Sequence, residues 1–307
     1  MIYVIGHKNP DTDSICSAIG YAAFKKELTG GDYVAARAGQ VNPESQFVLD
    51  RFGLEAPQFL ENAAGSELIM VDHNETAQAV DGLADASIKE VLDHHKIGDV
   101  QTPDPIYFRN EPVGCTGTIV YKHYTENGLT PASSVAGALC SAILSDTLAF
   151  RSPTCTETDK KAAEALAALA GISDIQAYAK EMFKAGSELA GKSPKEIFYL
   201  DFKKFSAGDK TFGVGQVTSM DAEELGELKV TMDKYLKESF SEHGADMLFF
   251  LLTDILDESS ELIFAGEGAQ EVVNAAFTSA EADRTYLKGV VSRKKQIVPQ
   301  ITEVLSK

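Results

Sequence analysis

The strongest restriction on this chain is an alternation, across about its first 185 residues, of short apolar runs with stretches of helical periodicity. Such alternation specifies strands joined by crossover helices, and hence an α/β fold with a doubly wound, mostly parallel sheet. Ile2-Tyr3-Val4-Ile5 is a strand-like run closed by Gly6. Residues 13–28 carry Ile15, Ala18, Ile19, Ala22 and Ala23 at helical spacing and stop at Gly30-Gly31, which predicts a helix. A strand over 33–38 follows, then a helix opened by Asn42-Pro43 and ending near Gly53. Residues 68–71 read as a strand ending at Asp72-His73, 76–83 as a short helix, and 88–92 as a strand ending at Asp93-His94-His95. Helices are expected over 116–127, 133–144, 159–170 and 175–185, with Ser145-Asp146 after the second.

Gly186, Gly191, Lys192, Ser193 and Pro194 form a polar, breaker-rich stretch that marks a domain boundary. The expected division is a first domain over 1–187, a linker over 188–194, and a smaller mixed α/β domain over 195–307. The second domain shows strands over 211–219, 247–253 and 262–265, a long charged helix over 222–240, and a helix over 270–277.

Charge and cysteine usage exclude several functions. The formal net charge is −18, so the general surface repels polyanions and no nucleic-acid partner is expected. The densest basic cluster is Arg293-Lys294-Lys295, after the apolar segment 287–291. No run of about 18 apolar residues exists to span a membrane. Met1-Ile2-Tyr3-Val4 enters a strand at once, without a basic leader, so the expected location is cytoplasmic. Cys16, Cys115, Cys140 and Cys155 form no C-x-x-C pair and read as reduced structural thiols.

The chemistry gathers at strand ends, where open α/β sheets build their sites. The first is Gly6-His7-Lys8-Asn9-Pro10-Asp11-Thr12-Asp13-Ser14. Pro10 disfavours helix at Asn9, so this is a loop, and Asp13 or Ser14 is the expected N-cap of the next helix. Capping accounts for one Asp, not for His7, Asp11 and Asp13 together; three such groups destabilise one another unless a cation offsets their charge. Asp72 ends a strand in the same way, and a carboxylate between two cations can bridge them. The adjacent His94 and His95 point differently, so one reads as a ligand and the other as facing substrate. Asp93 is placed to orient an imidazole. Asp146 stands at a helix C-terminus, where it opposes the macrodipole. These N and O donors suit Mn²⁺, Co²⁺, Fe²⁺, Mg²⁺ or Zn²⁺ and are too many for one ion with an open position. Two ions sharing carboxylates fit better, a known device for phosphoryl hydrolysis. Lys203, within Asp201-Phe202-Lys203-Lys204-Phe205, is a further candidate cation for binding phosphate.

Along essentially its whole length the chain resembles the manganese-dependent, family II inorganic pyrophosphatases of the DHH phosphoesterase superfamily. The resemblance rests on the His7–Ser14 motif, Val71-Asp72-His73-Asn74-Glu75, Asp93-His94-His95, Ser145-Asp146-Thr147 and Ser292-Arg293-Lys294-Lys295. It implies a first metal on His7, Asp11 and Asp72, and a second on Asp13, Asp72, His94 and Asp146, with Asp72 bridging. It implies that His95, Lys203, Arg293 and Lys294 act on the phosphates, and that Gln78 lies near the first metal. The metals would be Mn²⁺ or Co²⁺, with further Mg²⁺ carried by the substrate, pyrophosphate. A water or hydroxide activated by the two metals would attack phosphorus, and the second domain would close over the first about the linker. Family members typically form homodimers through the first domain. No nucleotide-sensing insert fits between Asp72 and Asp93, so no adenylate regulation is expected. The Gly-Gly-Gly-His-like motif of the related oligoribonucleases is missing, with Ser-Arg-Lys-Lys in its place.

Overall fold

The computed structural model describes residues 1–187, 189, 191–277 and 285–306. The chain divides into two compact units, Met1–Ser187 and Glu188–Lys307. Among the described residues no helix is long and apolar enough to cross a membrane.

The first unit is built on six parallel strands: β1 (Ile2–Ile5), β2 (Tyr33–Arg37), β3 (Gln58–Phe59), β4 (Glu67–Val71), β5 (Ser87–Asp93) and β6 (Tyr107–Asn110). Their order is β3-β2-β1-β4-β5-β6. The helices are α1 (Thr12–Thr29), α2 (Pro43–Phe52), α3 (Thr116–Glu126), α4 (Ser133–Asp146), α5 (Glu157–Ala170) and α6 (Ile175–Gly186). The central strands are apolar because both faces are covered: Val4, Ile5, Ile69, Met70, Val71, Val91 and Leu92 are fully buried. Each such side chain stabilises the fold by roughly 1.5–3 kcal/mol. Helices α1 and α4 approach closely at Gly20, where a Cβ would lie 2.6 Å from a methyl of Leu139.

Three expectations shift here. The short helix over 76–83 is instead two separate 3₁₀ turns, Thr76–Gln78 and Leu83–Asp85. Gly82 between them is left-handed (φ 79°), and Asp99 accepts from Thr76 N and Oγ1, so the costly nucleus of a continuous helix never forms. The N-cap of α1 is Asp11, not Asp13 or Ser14: its extended backbone and its carboxylate, 2.9 Å from Ser14 N, begin the helix one residue early. Asp146 is the last residue inside α4 rather than a residue beyond it.

The second unit has α7 (Pro194–Leu200), β7 (Phe202–Ala207), β8 (Lys210–Ser219), α8 (Ala222–Ser239), β9 (Met247–Asp254), β10 (Ser259–Ala265), α9 (Ala269–Ala276), β11 (Tyr286–Lys288) and α10 (Val298–Leu305). Of the expected linker, residues 188 and 190 lie outside the described residues, while Ser193 caps α7 and Pro194 opens it. The sheet runs β11-β10-β9-β8-β7, antiparallel except where α8 carries the chain from β8 to a parallel β9. Strand β9 is buried on both faces, with Phe249 and Leu251 in a core beneath α9 and α10, and Leu248, Phe250 and Leu252 in a core with α8. The architecture is α/β, with a parallel sheet in the first unit and a smaller mixed sheet in the second.

Candidate metal centre

Strand order places the site. The chain leaves β1 toward β2 on one side, and β4 and β5 lie on the other, so connections diverge between β1 and β4 and leave a crevice at their carboxyl ends. Ile5 pairs with Met70, and Val71 with Leu92, so His7, Asp72 and the Asp93-His94-His95 turn emerge at one edge. Gly6 is needed there because a Cβ would collide with the side chain of Ser14 and approach its carbonyl oxygen to 2.9 Å. Asp72 takes the left-handed conformation (φ 62°), a strain of order 1–3 kcal/mol in a non-glycine residue that clusters at functional sites. Its N–H is held by the Leu92 carbonyl at 2.9 Å.

Among the described residues the tertiary structure gathers three overlapping sets of donors. His7, Asp11 and Asp72 form the first, Asp13, Asp72, His94 and Asp146 the second, and Asp72, His94 and His95 a third, with ligand atoms in each set within 4.8 Å of one another. Asp72 belongs to all of them. Its Oδ2 lies 3.4 Å from His7 Nε2 and its Oδ1 3.4 Å from His94 Nε2. His7 Nε2 is also 3.4 Å from Asp11 Oδ2, and His94 Nε2 is 3.6 Å from Asp146 Oδ2 and 4.0 Å from Asp13 Oδ2. These separations are long for hydrogen bonds. Two donors each about 2.1 Å from one cation stand roughly 3.0–3.4 Å apart, close to what is seen. Among the described residues, Asp72 Oδ2 and His94 Nε2 are buried and have no hydrogen-bond partner.

Negative charge is in excess, and the titration of the groups records it. Burial pulls the His7 pKa down, but Asp11 and Asp72 outweigh it and raise the imidazole to about 10. Burial likewise opposes protonation of His94, while Asp72 and Asp13 lift it to about 9. Asp13 is pushed up to about 6, by burial first and then by Asp72. Asp146 goes well above the usual carboxylate range through burial, Asp13 and Asp72. Asp72 is held below that range: burial acts upward, and the two imidazoles win. Desolvated carboxylates of this kind call for nearby cations.

The sequence reading missed the supports of the second set. The N-terminus of α3 points at Asp13, whose carboxylate accepts from Thr116 N at 2.6 Å and Gly117 N at 3.0 Å, besides Ser17 Oγ at 2.6 Å. Thr116 Oγ1 lies 3.3 Å from Asp72 Oδ1. A helix N-terminus stabilises an ionised carboxylate. Fully buried Asp159 fixes that terminus by accepting from Gly114 N and Thr118 Oγ1. His94 donates from Nδ1 to the Val113 carbonyl at 3.2 Å, which turns Nε2 toward the carboxylates.

Comparison with known proteins gives the family. Residues 1–143 match the DHH family, N-terminal domain, and residues 180–304 the DHHA2 domain. A Clostridium acetobutylicum protein named probable manganese-dependent inorganic pyrophosphatase is 48% identical over 307 residues, 99% of this chain and 98% of its own. The protein of that name from Oceanobacillus iheyensis is 45% identical over 98% of this chain and 97% of its own. The crystal structure of a Methanococcus jannaschii protein assigned to the family II inorganic pyrophosphatases covers all of both chains at 40% identity with a TM-score of 0.62. The chain belongs to the manganese-dependent, family II inorganic pyrophosphatases. It is accordingly a metal-dependent hydrolase by membership.

In this family member, the turn after β5 is held by a buried relay. Asp93 Oδ1 accepts from His94 N at 2.8 Å, His95 N at 3.1 Å and His95 Nδ1 at 2.9 Å. Its Oδ2 accepts from Asn74 Nδ2, and Asn74 also donates to the Lys96 carbonyl at 3.0 Å and accepts from Gly98 N. His95 is half-exposed, 3.8 Å from Asp72 Oδ1, and its pKa is raised chiefly by the Asp93 bond. Gln78 lies in the first 3₁₀ turn, where its side chain donates to Glu75 at 3.0 Å and its carbonyl accepts from Lys8 N at 2.8 Å.

In the second unit, Arg293 opens a single π-helical turn, Arg293–Ile297, capped by Ser292. Its guanidinium is nearly buried: it pairs with Asp201 Oδ1 at 2.9 Å and donates to the carbonyls of Asp201 at 2.6 Å and Val214 at 3.3 Å. Lys203, exposed on β7, lies opposite Val214 in the sheet. Lys294 is exposed. Gln216 accepts from Arg293 N and donates to the Val291 carbonyl, both at 3.0 Å, which fixes the loop that carries the basic cluster.

Proposed function

We propose that this chain hydrolyses inorganic pyrophosphate to two orthophosphates. The reading is carried by one observation: the two oxygens of Asp72 face two different imidazoles, as a carboxylate shared between two cations must. His7, Asp11 and Asp72 would hold one cation, and Asp13, Asp72, His94 and Asp146 the other. The residues fit such ions, with oxygen and imidazole donors, no thiolate, and buried atoms lacking partners. Mn²⁺ or Co²⁺ at these places, with Mg²⁺ accompanying the substrate, would lower the pKa of a water and offset charge on phosphoryl oxygens.

The chain's own side chains supply the rest. The Asp93 relay fixes His95 through Nδ1 and leaves Nε2 free to donate a proton or hydrogen bond to the departing phosphate. Arg293, Lys294 and Lys203 would grip the phosphates, Arg293 with its planar fork and the lysines as compact charges. The second unit would close over the substrate about residues 188–194 and exclude bulk water. No covalent intermediate is required. A homodimer formed through the first unit, in the cytoplasm, completes the reading.

The test is phosphate release from pyrophosphate, tripolyphosphate and a dinucleotide, before and after chelation. We expect release from pyrophosphate alone, lost on chelation and restored better by Mn²⁺ or Co²⁺ than by Mg²⁺. Equal or faster cleavage of tripolyphosphate or the dinucleotide overturns the assignment. A second expectation concerns Asn74. Asn74→Ala leaves Asp93 Oδ2 without its donor and should lower kcat about 10–100-fold. Asn74→Asp should fare no better, because a carboxylate cannot donate. Wild-type kcat in both variants would show that the relay does not act on His95.

A further inference from the structure

Glu44 stands outside the donor sets, yet it joins two of the segments that bear them, those of Asp13 and Asp146. It lies in the first turn of α2, fixed by Pro43 and by the Asn42 cap, whose side chain accepts from Ser45 N at 2.7 Å. A single oxygen, Glu44 Oε1, accepts from Thr12 Oγ1 at 2.7 Å and from Ser145 Oγ at 2.6 Å. Thr12 sits between Asp11 and Asp13, and Ser145 directly precedes Asp146. One carboxylate oxygen thus ties the start of α1 to the end of α4, where the backbone runs straight into three left-handed residues, Leu148, Ala149 and Phe150 (φ 49°, 51° and 74°).

The far side of Glu44 rests on Gly186, the last residue of α6. A Cβ on Gly186 would lie 2.8 Å from Glu44 Cβ and 3.1 Å from Glu44 Oε2. The first of these contacts is with the stiff base of the side chain, so it cannot be relieved by a rotation of the carboxylate alone.

We infer that Glu44 is a positioning residue: it sets the separation of Asp13 from Asp146 and thereby the affinity of the second donor set for its cation. The inference rests on the reading that this set holds a metal. It assigns to Glu44 a geometric role through Oε1, so an amide oxygen in the same place should serve. Binding of Mn²⁺ to the metal-stripped full-length chain, followed by calorimetry, tests it. Wild type should take up two Mn²⁺ per chain. Glu44→Ala should weaken one of the two about 10–100-fold, the usual effect of removing a support behind a ligand. Glu44→Gln should retain wild-type affinity. Gly186→Ala should also weaken that one ion, because the added Cβ displaces the base of the Glu44 side chain.

Full affinity in Glu44→Ala overturns the inference, as does full affinity in Gly186→Ala. A loss in Glu44→Gln as large as in Glu44→Ala overturns it too, because negative charge rather than position would then be at work. If Glu44→Ala does not fold, Ser145→Ala removes one of the two hydroxyl donors and must show the weakening; wild-type affinity there is equally fatal. Fewer than two Mn²⁺ on wild type is a different failure, since it removes the two-metal reading itself.

Discussion

Asp72→Asn is expected to lower turnover of pyrophosphate by about a thousandfold or more, equivalent to several kcal/mol of transition-state stabilisation. The substitution is nearly isosteric. Asparagine also tolerates the left-handed backbone that Asp72 adopts, so the turn after β4 should survive. What is lost is one anionic oxygen of the residue common to every donor set. Bound Mn²⁺ should fall from two per chain to one or none, measured by calorimetry alongside kcat. A variant that keeps both ions and its turnover would remove Asp72 from the bridging role.

Arg293→Ala should lower kcat/KM about 10²–10³-fold, in line with removal of one preorganised group at a charge-bearing centre. The side chain also has a structural task, and the two effects separate. Its loss removes one donor from the Val214 carbonyl and one from the Asp201 carbonyl, which keeps the Gln216 N–H at 3.2 Å, a destabilisation of about 0.5–1.5 kcal/mol per bond in the second unit. The ion pair itself adds little, because the Asp201 side chain is half-exposed. Arg293→Lys should recover part of the stability and little of the activity, since a lysine lacks the fork. Mn²⁺ affinity should be unchanged in both variants. Normal turnover in Arg293→Ala would exclude a role in catalysis; loss of Mn²⁺ binding would mean that the damage reaches the first unit.

Parts of this architecture are legible because they repeat a simple physical pattern. Segments buried on both faces must be apolar, so β1, β4, the Val91-Leu92 end of β5 and β9 announce themselves, and the abrupt polar residues after the first three mark the edge where a site can form. Edge strands escape detection for the opposite reason. Strand β7, Phe202–Ala207, carries two exposed lysines, and β6, Tyr107–Asn110, leaves Tyr107 and Phe108 exposed, so neither reads as a buried run. Helix boundaries were off by a residue or two where a side chain decided them, as with Asp11 at the start of α1 and Asp146 inside the end of α4.

The candidate ligands were all named from residue type and position, because carboxylates and imidazoles at strand ends are conspicuous. Their supports were not. Thr116 N and Gly117 N act through backbone that every sequence possesses. Asn74 and Glu44 are ordinary polar residues until folding sets Asn74 against Asp93 and Glu44 between Thr12 and Ser145. The amino-acid order alone therefore determined the strands, their polar ends and the supply of ligand atoms, since hydrophobic periodicity and side-chain chemistry are local properties. Only the tertiary structure decided which atoms meet, that Asp72 turns one oxygen to each imidazole, and which neutral groups hold the acids in place, because those distances depend on strand order and helix packing between segments far apart in the chain.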